Sequence, residues 1–288
     1  MDVTVLGSGG SRPIPMPTCD CRLCRRARVV GPPESRIGNS LYLHDLATVV
    51  DAPAGLWRAL NRERVAAVDR CLLTHWHPDH VAGVRALTAR DATGFADDVP
   101  FTERYRADPP TLVTTERVYE RACDLTSLRY HVEEQGAIDV RLLDDDALAV
   151  GDWTVSAVPY ALAGDGDRDA TAFVLDGPAT VVVATDDARH LDVGRLPSAP
   201  DLAVFECGLF ETGPDGESLL TETGREALAD ELRHEEVLSR VDALAPDRTL
   251  LTEIGHQYRR SHDDLVALES GPRYDGVTFA HDGLTLTV

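Results

Sequence analysis

The chain has 288 residues, 49 acidic and 28 basic, and a formal charge of −21 at pH 7; every basic side chain is Arg, because the sequence contains no Lys. Such a balance repels a phosphate backbone, so a nucleic-acid partner is not expected unless Arg residues cluster locally. No apolar run reaches membrane-spanning length, and Met1-Asp2-Val3-Thr4-Val5-Leu6 reads as a strand rather than a charged leader, so a cytoplasmic protein with no membrane partner is expected.

An acidic surface without ammonium stems stays hydrated in concentrated salt, which points to a halophilic cytoplasm. No Pro/Gly/Ser-rich linker divides the sequence, and a single domain over 1–288 is expected. Three of the six Cys crowd into one short segment, which in a reducing compartment indicates a metal site rather than disulfides.

In chain order, Val3 to Leu6 is a strand, and Gly7-Ser8-Gly9-Gly10 is a tight turn whose free N–H groups could hold a phosphate. Pro13, Pro15 and Pro17 keep the next segment extended up to Cys19-x-Cys21-x-x-Cys24. These three thiolates match structural zinc spacing and leave tetrahedral coordination one ligand short. Arg36 to Leu43 and Ala47 to Asp51 read as a hairpin, and Leu56 to Val65 as an amphipathic helix leading to a Cys71-Leu72-Leu73 strand.

Leu73-Thr74-His75-Trp76-His77-Pro78-Asp79-His80 then places three imidazoles and a carboxylate directly behind a buried run. Unpaired His and Asp are costly to bury, whereas neutral imidazole and carboxylate are ordinary ligands of zinc, manganese and iron. His75 and His77 can point the same way from the turn, and Asp79 and His80 at the start of a helix over 79–90 reach a neighbouring position. That arrangement suits two metals.

The polar segment 91–110 reads as an excursion over the site mouth, with Phe95, Phe101 and Tyr105 as its anchors. A strand at Thr111 to Thr114 and a helix at Arg117 to Leu125 follow. Short β runs at Leu148 to Val150, Trp153 to Val158, Ala172 to Leu175 and Thr180 to Ala184 look like a second sheet. Asp201 to Glu206 is a buried strand, Gly224 to Leu244 mostly helical, Thr249 to Thr252 a strand, and Leu284 to Val288 closes a sheet.

His75-x-His77-x-Asp79-His80 resembles the signature of the metallo-β-lactamase superfamily, and the resemblance extends over nearly the whole chain. It implies an α/β fold, a four-layer αββα sandwich with a binuclear site at one edge of two facing sheets. It also implies that Asp51 orients ligands from beneath and that Asp186, after Val181 to Val183, is the bridging carboxylate. Within the superfamily, the Cys triplet resembles the phosphoribosyl cyclic phosphate phosphodiesterases of phosphonate breakdown. That likeness makes His256, in Leu251-Thr252-Glu253-Ile254-Gly255-His256, the fourth ligand of a structural zinc, and puts His234 at the site edge to protonate a leaving group.

The sequence departs from that branch twice. Leu162, in Val158-Pro159-Tyr160-Ala161-Leu162, stands where the third metal His belongs, and Glu253 stands in place of the last. One site keeps His75, His77 and Asp186; the other has Asp79, His80, Asp186 and Glu253, an oxygen-rich set that shifts preference from zinc toward manganese, iron or magnesium. A firmly held metal is therefore expected at the second site and a weak or empty first site. His190 could supply the missing imidazole, although a loop position favours exposure.

The resemblance implies a metal-dependent phosphodiesterase-like hydrolase acting on a small cyclic phosphate or related ester. Asp79 and His234 are the catalytic candidates, one or two divalent metals (manganese, iron or zinc) the cofactors, and Arg12, Arg36 and Arg189 the candidate phosphate contacts. The alternative is a degenerate, non-catalytic member that keeps the structural zinc and binds a small molecule, a pattern also similar to the pyrroloquinoline quinone biosynthesis proteins. A homodimer is compatible with either reading. If the acidic surface is an adaptation to salt, the melting temperature rises between dilute buffer and molar KCl; a melting temperature that does not move contradicts it.

Overall fold

The computed structural model describes residues 1–88, 108–144, 146–162 and 166–288. Two seven-stranded mixed sheets face one another. The first contains β1 (Asp2–Gly7), β2 (Ser40–Leu43), β3 (Thr48–Val50), β4 (Arg70–Leu72), β5 (Thr111–Thr114) and β6 (Asp139–Leu142) in sequence order. The second runs β7 (Ala147–Val150), β8 (Trp153–Tyr160), β9 (Ala170–Asp176), β10 (Thr180–Ala184), β11 (Leu202–Glu206), β12 (Arg248–Thr252) and β13 (Val277–Phe279). The last strand, β14 (Thr285–Thr287), returns to the first sheet and pairs antiparallel with β1.

Alternation along the strands builds the layers. Val181 and Val183 of β10 point inward to the core between the sheets, with Val5, Leu41, Leu72, Phe173 and Val204. Val182 and Ala184 point outward to a second core beneath α7 (His234–Leu244) and α8 (His262–Glu269). The outer face of the first sheet packs Val49, Cys71 and Leu112 against α2 (Leu56–Arg62), α3 (Pro78–Val81), α4 (Arg85–Thr88) and α5 (Glu116–Leu125). With period-2 strands buried on both faces and helices outside, the result is the expected four-layer αββα sandwich. No helix among the described residues is long and apolar enough to cross a membrane.

Strands β3, β4 and β5 run parallel, as do β10, β11 and β12. Their C-terminal ends therefore collect at one lip of the sandwich, where ligands commonly sit in parallel sheets.

Two expected helices are broken. The one over 79–90 is instead α3 and α4, separated by Ala82-Gly83-Val84, and its last two positions lie outside the described residues. The one over 224–244 is α6 (Glu222–Ala227) and α7 with a turn between them. Helix α1 (Arg22–Val30), directly behind the Cys triplet, was not anticipated, nor was α8. The 91–110 excursion with Phe95, Phe101 and Tyr105 falls outside the described residues except for 108–110.

The first break has a tertiary cause: Gly83 N–H donates to Ala52 O rather than back along the helix. A Cβ on Gly83 would lie 1.9 Å from the Pro53 carbonyl oxygen. The backbone approaches this closely because Gly83 N–H donates to Ala52 O and Ala52 N–H donates to His80 O, both at 2.7 Å. Gly83 is thus the point where the motif helix is stitched to the segment that follows β3 and Asp51. Gly83→Ala is expected to cost about 3 kcal/mol, read as a fall in melting temperature, because neither partner of the clash is a movable side chain. An unchanged melting temperature contradicts the stitch.

Candidate metal centre

Four of the strands that reach the lip end in a carboxylate: Asp51 after β3, Asp186 after β10, Glu206 at the end of β11 and Glu253 after β12. The motif turn after β4 enters this acidic ring. His75 is fully buried; its Nδ1 is 3.0 Å from Thr74 Oγ1, and its Nε2 is 2.8 Å from Asp186 Oδ2. His77 Nδ1 lies 3.3 Å from the same oxygen. His80 Nδ1 is held by Asp51 Oδ2 at 2.8 Å, which turns its Nε2 toward Glu253 Oε1 at 3.4 Å and Asp79 Oδ2 at 3.7 Å.

Two donor groups result, His75–His77–Asp186 and Asp79–His80–Glu253, and within each the donor atoms all lie within 4.8 Å of one another. The His75 and His80 rings are 3.9 Å apart between centroids, so the two groups are adjacent. Each group offers three donors, with contacts of 2.8 and 3.3 Å in the first and 3.4 and 3.7 Å in the second.

The residues fit a divalent cation. His75 Nε2, Asp186 Oδ2 and Glu253 Oε1 are buried, yet none has a hydrogen-bond partner of acceptable geometry. Leaving a buried polar atom unpaired costs about 1–3 kcal/mol, more for a charge. Three such atoms aimed into one lip are accounted for if cations sit between them. Oxygen and imidazole donors 2.8–3.4 Å apart are also the separations that metal–ligand bonds of about 2.0–2.2 Å produce.

Burial lowers the His75 pKa, although Asp186 pulls it up. His80 is raised to about 10: burial works against its charge, but Asp51 and Glu253 outweigh it. Burial pushes the Glu253 carboxyl well above the ordinary range, with His80 opposing. Asp186 is held well below that range; burial alone would raise it, and the nearby His75 and His80 together with hydrogen bonding from His75 and His77 prevail.

Asp51 is the hub beneath both groups. It has no exposed surface and accepts hydrogen bonds from Thr74 N–H and Thr74 Oγ1, from His80 Nδ1 and, at 3.4 Å, from Thr185 Oγ1 next to Asp186. Both Asp51 (φ 58°) and Glu253 (φ 59°) occupy the left-handed region. Non-Gly residues persist there when the surroundings over-determine them, as they do at functional sites.

The Cys site is assembled as expected. His256 Nε2 lies 3.2 Å from Cys21 Sγ and 3.6 Å from Cys19 Sγ, and Cys24 completes a four-donor group. These are tetrahedral zinc separations. Met16 N–H donates to Cys24 Sγ at 3.3 Å, and the Cys21 thiol, though raised by burial, is lowered on balance to about 6 by its neighbours. Cys21 and His256 are 235 positions apart, so zinc here would cross-link the two ends of the chain.

The remaining candidates fall outside the two donor groups. His234 is buried rather than exposed, stacked on Phe210, with Nδ1 on the carbonyl of Cys207, the residue after Glu206, and Nε2 3.0 Å from Tyr274 Oη. His190 is exposed in a shallow pocket with Arg168 and Arg195. Arg36 is buried, donating to Ser8 Oγ and Ala280 O, and Arg189 is occupied by Glu231 O. Arg12 is exposed.

Nor is the Gly turn a phosphate cradle. Ser8 N–H donates to Asp282 and Gly9 N–H to Ile37 O. Gly10 has a different use: a Cβ there would lie 2.6 Å from Glu253 Oε2, so its missing side chain makes room for that carboxylate. Glu206 is the acidic neighbour that sequence reading passed over. It accepts from Ala188 N–H at 3.0 Å, and burial together with the Asp186 charge pushes its carboxyl up. The signal was present in Leu202-Ala203-Val204-Phe205-Glu206, the same strand-then-acid pattern as Asp51, Asp186 and Glu253.

Comparison with protein-family models and with curated proteins gives no match. Solved structures do match over nearly the full length. A diphosphatase from the PhnP family has a TM-score of 0.70 at 20% identity, covering 99% of this chain and 96% of its own. Zn(2+)-bound PqqB from Methylobacterium extorquens has a TM-score of 0.69 at 17% identity with complete coverage of both chains. The metallo-beta-lactamase fold protein YhfI from Bacillus subtilis has a TM-score of 0.64 at 16% identity, covering 99% of each. At these identities the likeness concerns the fold.

The pKa pattern fixes a sign for metal uptake. In the metal-free protein His80 carries a proton below about 10, and a ligand must be neutral, so cation binding at the second group releases at least one proton. Affinity there is expected to rise about tenfold per pH unit from pH 6 to 8. Calorimetry in buffers of differing ionisation enthalpy reads this directly, and binding without proton release contradicts it.

Proposed function

We propose, from a metallo-β-lactamase fold that carries two adjacent three-donor groups at the lip of its sandwich, that this protein is a metal-dependent hydrolase of small phosphate esters, a cyclic phosphodiester being the favoured class. The observation that supports this most directly is the convergence of His75, His77 and Asp186, and of Asp79, His80 and Glu253, into two groups whose donor atoms lie within 4.8 Å of one another. Divalent cations held there supply Lewis acidity toward a phosphoryl oxygen and lower the pKa of water.

The chain's own residues set the geometry. Thr74 and Asp51 fix the tautomers of His75 and His80, so that both Nε2 atoms face the lip. Asp186 spans His75 and His77, and Tyr160 donates from its hydroxyl to the Asp186 carbonyl at 2.7 Å, bracing the strand end. Asp79 is one quarter exposed and so is the second-group ligand best placed to meet substrate. The net charge of −21 favours a small ester over a polyanion.

Protein loaded with manganese, iron or zinc in high salt is expected to turn over small cyclic and aryl phosphodiesters. His77→Ala and Asp186→Asn are each expected to lower kcat/KM more than about 100-fold, exceeding what loss of an outer hydrogen-bond partner costs. A wild type inert with every metal and ester supports the non-catalytic, small-molecule-binding alternative instead.

A further inference from the structure

The imidazoles of the two groups are not held alike. His75 and His80 are buried, each with Nδ1 on a fixed side-chain partner. His77 is 39% exposed, and its Nδ1 is the donor atom that faces Asp186. Its ring is packed edge to face from two sides, by the ligand His75 at 4.7 Å and 83° and by Trp76, which is not a ligand, at 4.5 Å and 74°.

Trp76 is itself gripped from two sides. Its Nε1–H donates to Asp169 Oδ2 at 3.0 Å, and the Arg121 guanidinium, from α5, lies over the indole at 4.6 Å. Asp169 is 7% exposed and accepts with its other oxygen from the Leu162 backbone N–H at 3.2 Å. It directly precedes the point where β9 is joined to the motif: Thr171 N–H donates to Thr74 O at 2.8 Å, and Ala170 is bridged to His75. One buried carboxylate therefore holds both the indole beside His77 and the backbone of the residue that stands where a third imidazole would have been.

We propose that Asp169 and Trp76 are positioning residues for the first metal. Asp169 locks the indole, the indole locks the half-exposed His77 ring, and this strut compensates for the donor that Leu162 does not supply. The inference rests on the metal-centre reading above. A purely structural role predicts a different result, because a core contact supports every site in the fold equally.

The test is manganese(II) titration of protein that retains its thiolate-bound zinc, followed by equilibrium dialysis and tryptophan fluorescence. Wild type is expected to take up two manganese ions, one of which quenches Trp76. Asp169→Asn is expected to weaken that quenching step about 10–100-fold while leaving the other step and the zinc content unchanged. Trp76→Phe keeps a ring but no N–H donor; it is expected to lose the quenching and to weaken the same step to a lesser degree. The double variant is expected to be no worse than Asp169→Asn alone, as residues acting in one chain of contacts are not additive.

Two unchanged steps in Asp169→Asn overturn the proposal, and so does equal weakening of both manganese steps and the zinc site. A wild type that takes up no manganese overturns the metal-centre reading as well, which separates the two failures. If Asp169→Asn does not fold, Trp76→Phe and Arg121→Gln probe the strut from its other end, and an affinity for the first-site manganese left unchanged in both, read by equilibrium dialysis, overturns it.

Discussion

The carboxylate of Asp51 is the constraint on which the rest depends. It is sealed from solvent and satisfied from both sheets, by Thr74 and His80 on one side and by Thr185 on the other. A buried carboxylate must find donors, and the donors it finds are the residues flanking the metal ligands. Satisfying Asp51 and shaping the lip are thus the same event. Its left-handed backbone, like that of Glu253, is held by this over-determined setting rather than by local preference.

The replacement of imidazole by carboxylate at Glu253 has local support in the fold. Gly10 leaves space for the Glu253 carboxylate, and the turn that contains it is tied down by Asp282 and Ile37. The replacement of imidazole by Leu162 is supported differently: its backbone N–H enters the Asp169 network that grips Trp76. Both side chains therefore sit in surroundings that accommodate them. The two groups are left with different donors, two nitrogens and one oxygen against one nitrogen and two oxygens, and so with different metal preferences.

Much of this was legible in the residue order. Strand runs such as Val181-Val182-Val183 alternate between two cores, and the His75 to His80 spacing, Asp186 and the Cys19, Cys21, Cys24 and His256 group all come together where the motifs placed them. What escaped were features set by tertiary contact. The motif helix breaks at Gly83 because its N–H donates to Ala52 O in a remote segment, and local periodicity holds no trace of that. His234 sits among charged neighbours in Arg233-His234-Glu235-Glu236, and nothing in that segment announces that Phe210 and Tyr274 converge on it from remote segments and bury it. The Gly turn suggested an anion cradle because its N–H groups looked free; their partners, Asp282 and Ile37, are supplied by the fold.

The central claim is that the lip of the sandwich closes around cations. Anomalous diffraction from crystals grown with manganese and zinc, recorded at both absorption edges, tests it most directly. The account predicts one peak among Cys19, Cys21, Cys24 and His256 and two neighbouring peaks at the lip, one in contact with His75, His77 and Asp186 and the other with Asp79, His80 and Glu253. Density showing Asp186 and Glu253 hydrogen-bonded to the imidazoles, with no anomalous signal between them, would contradict it.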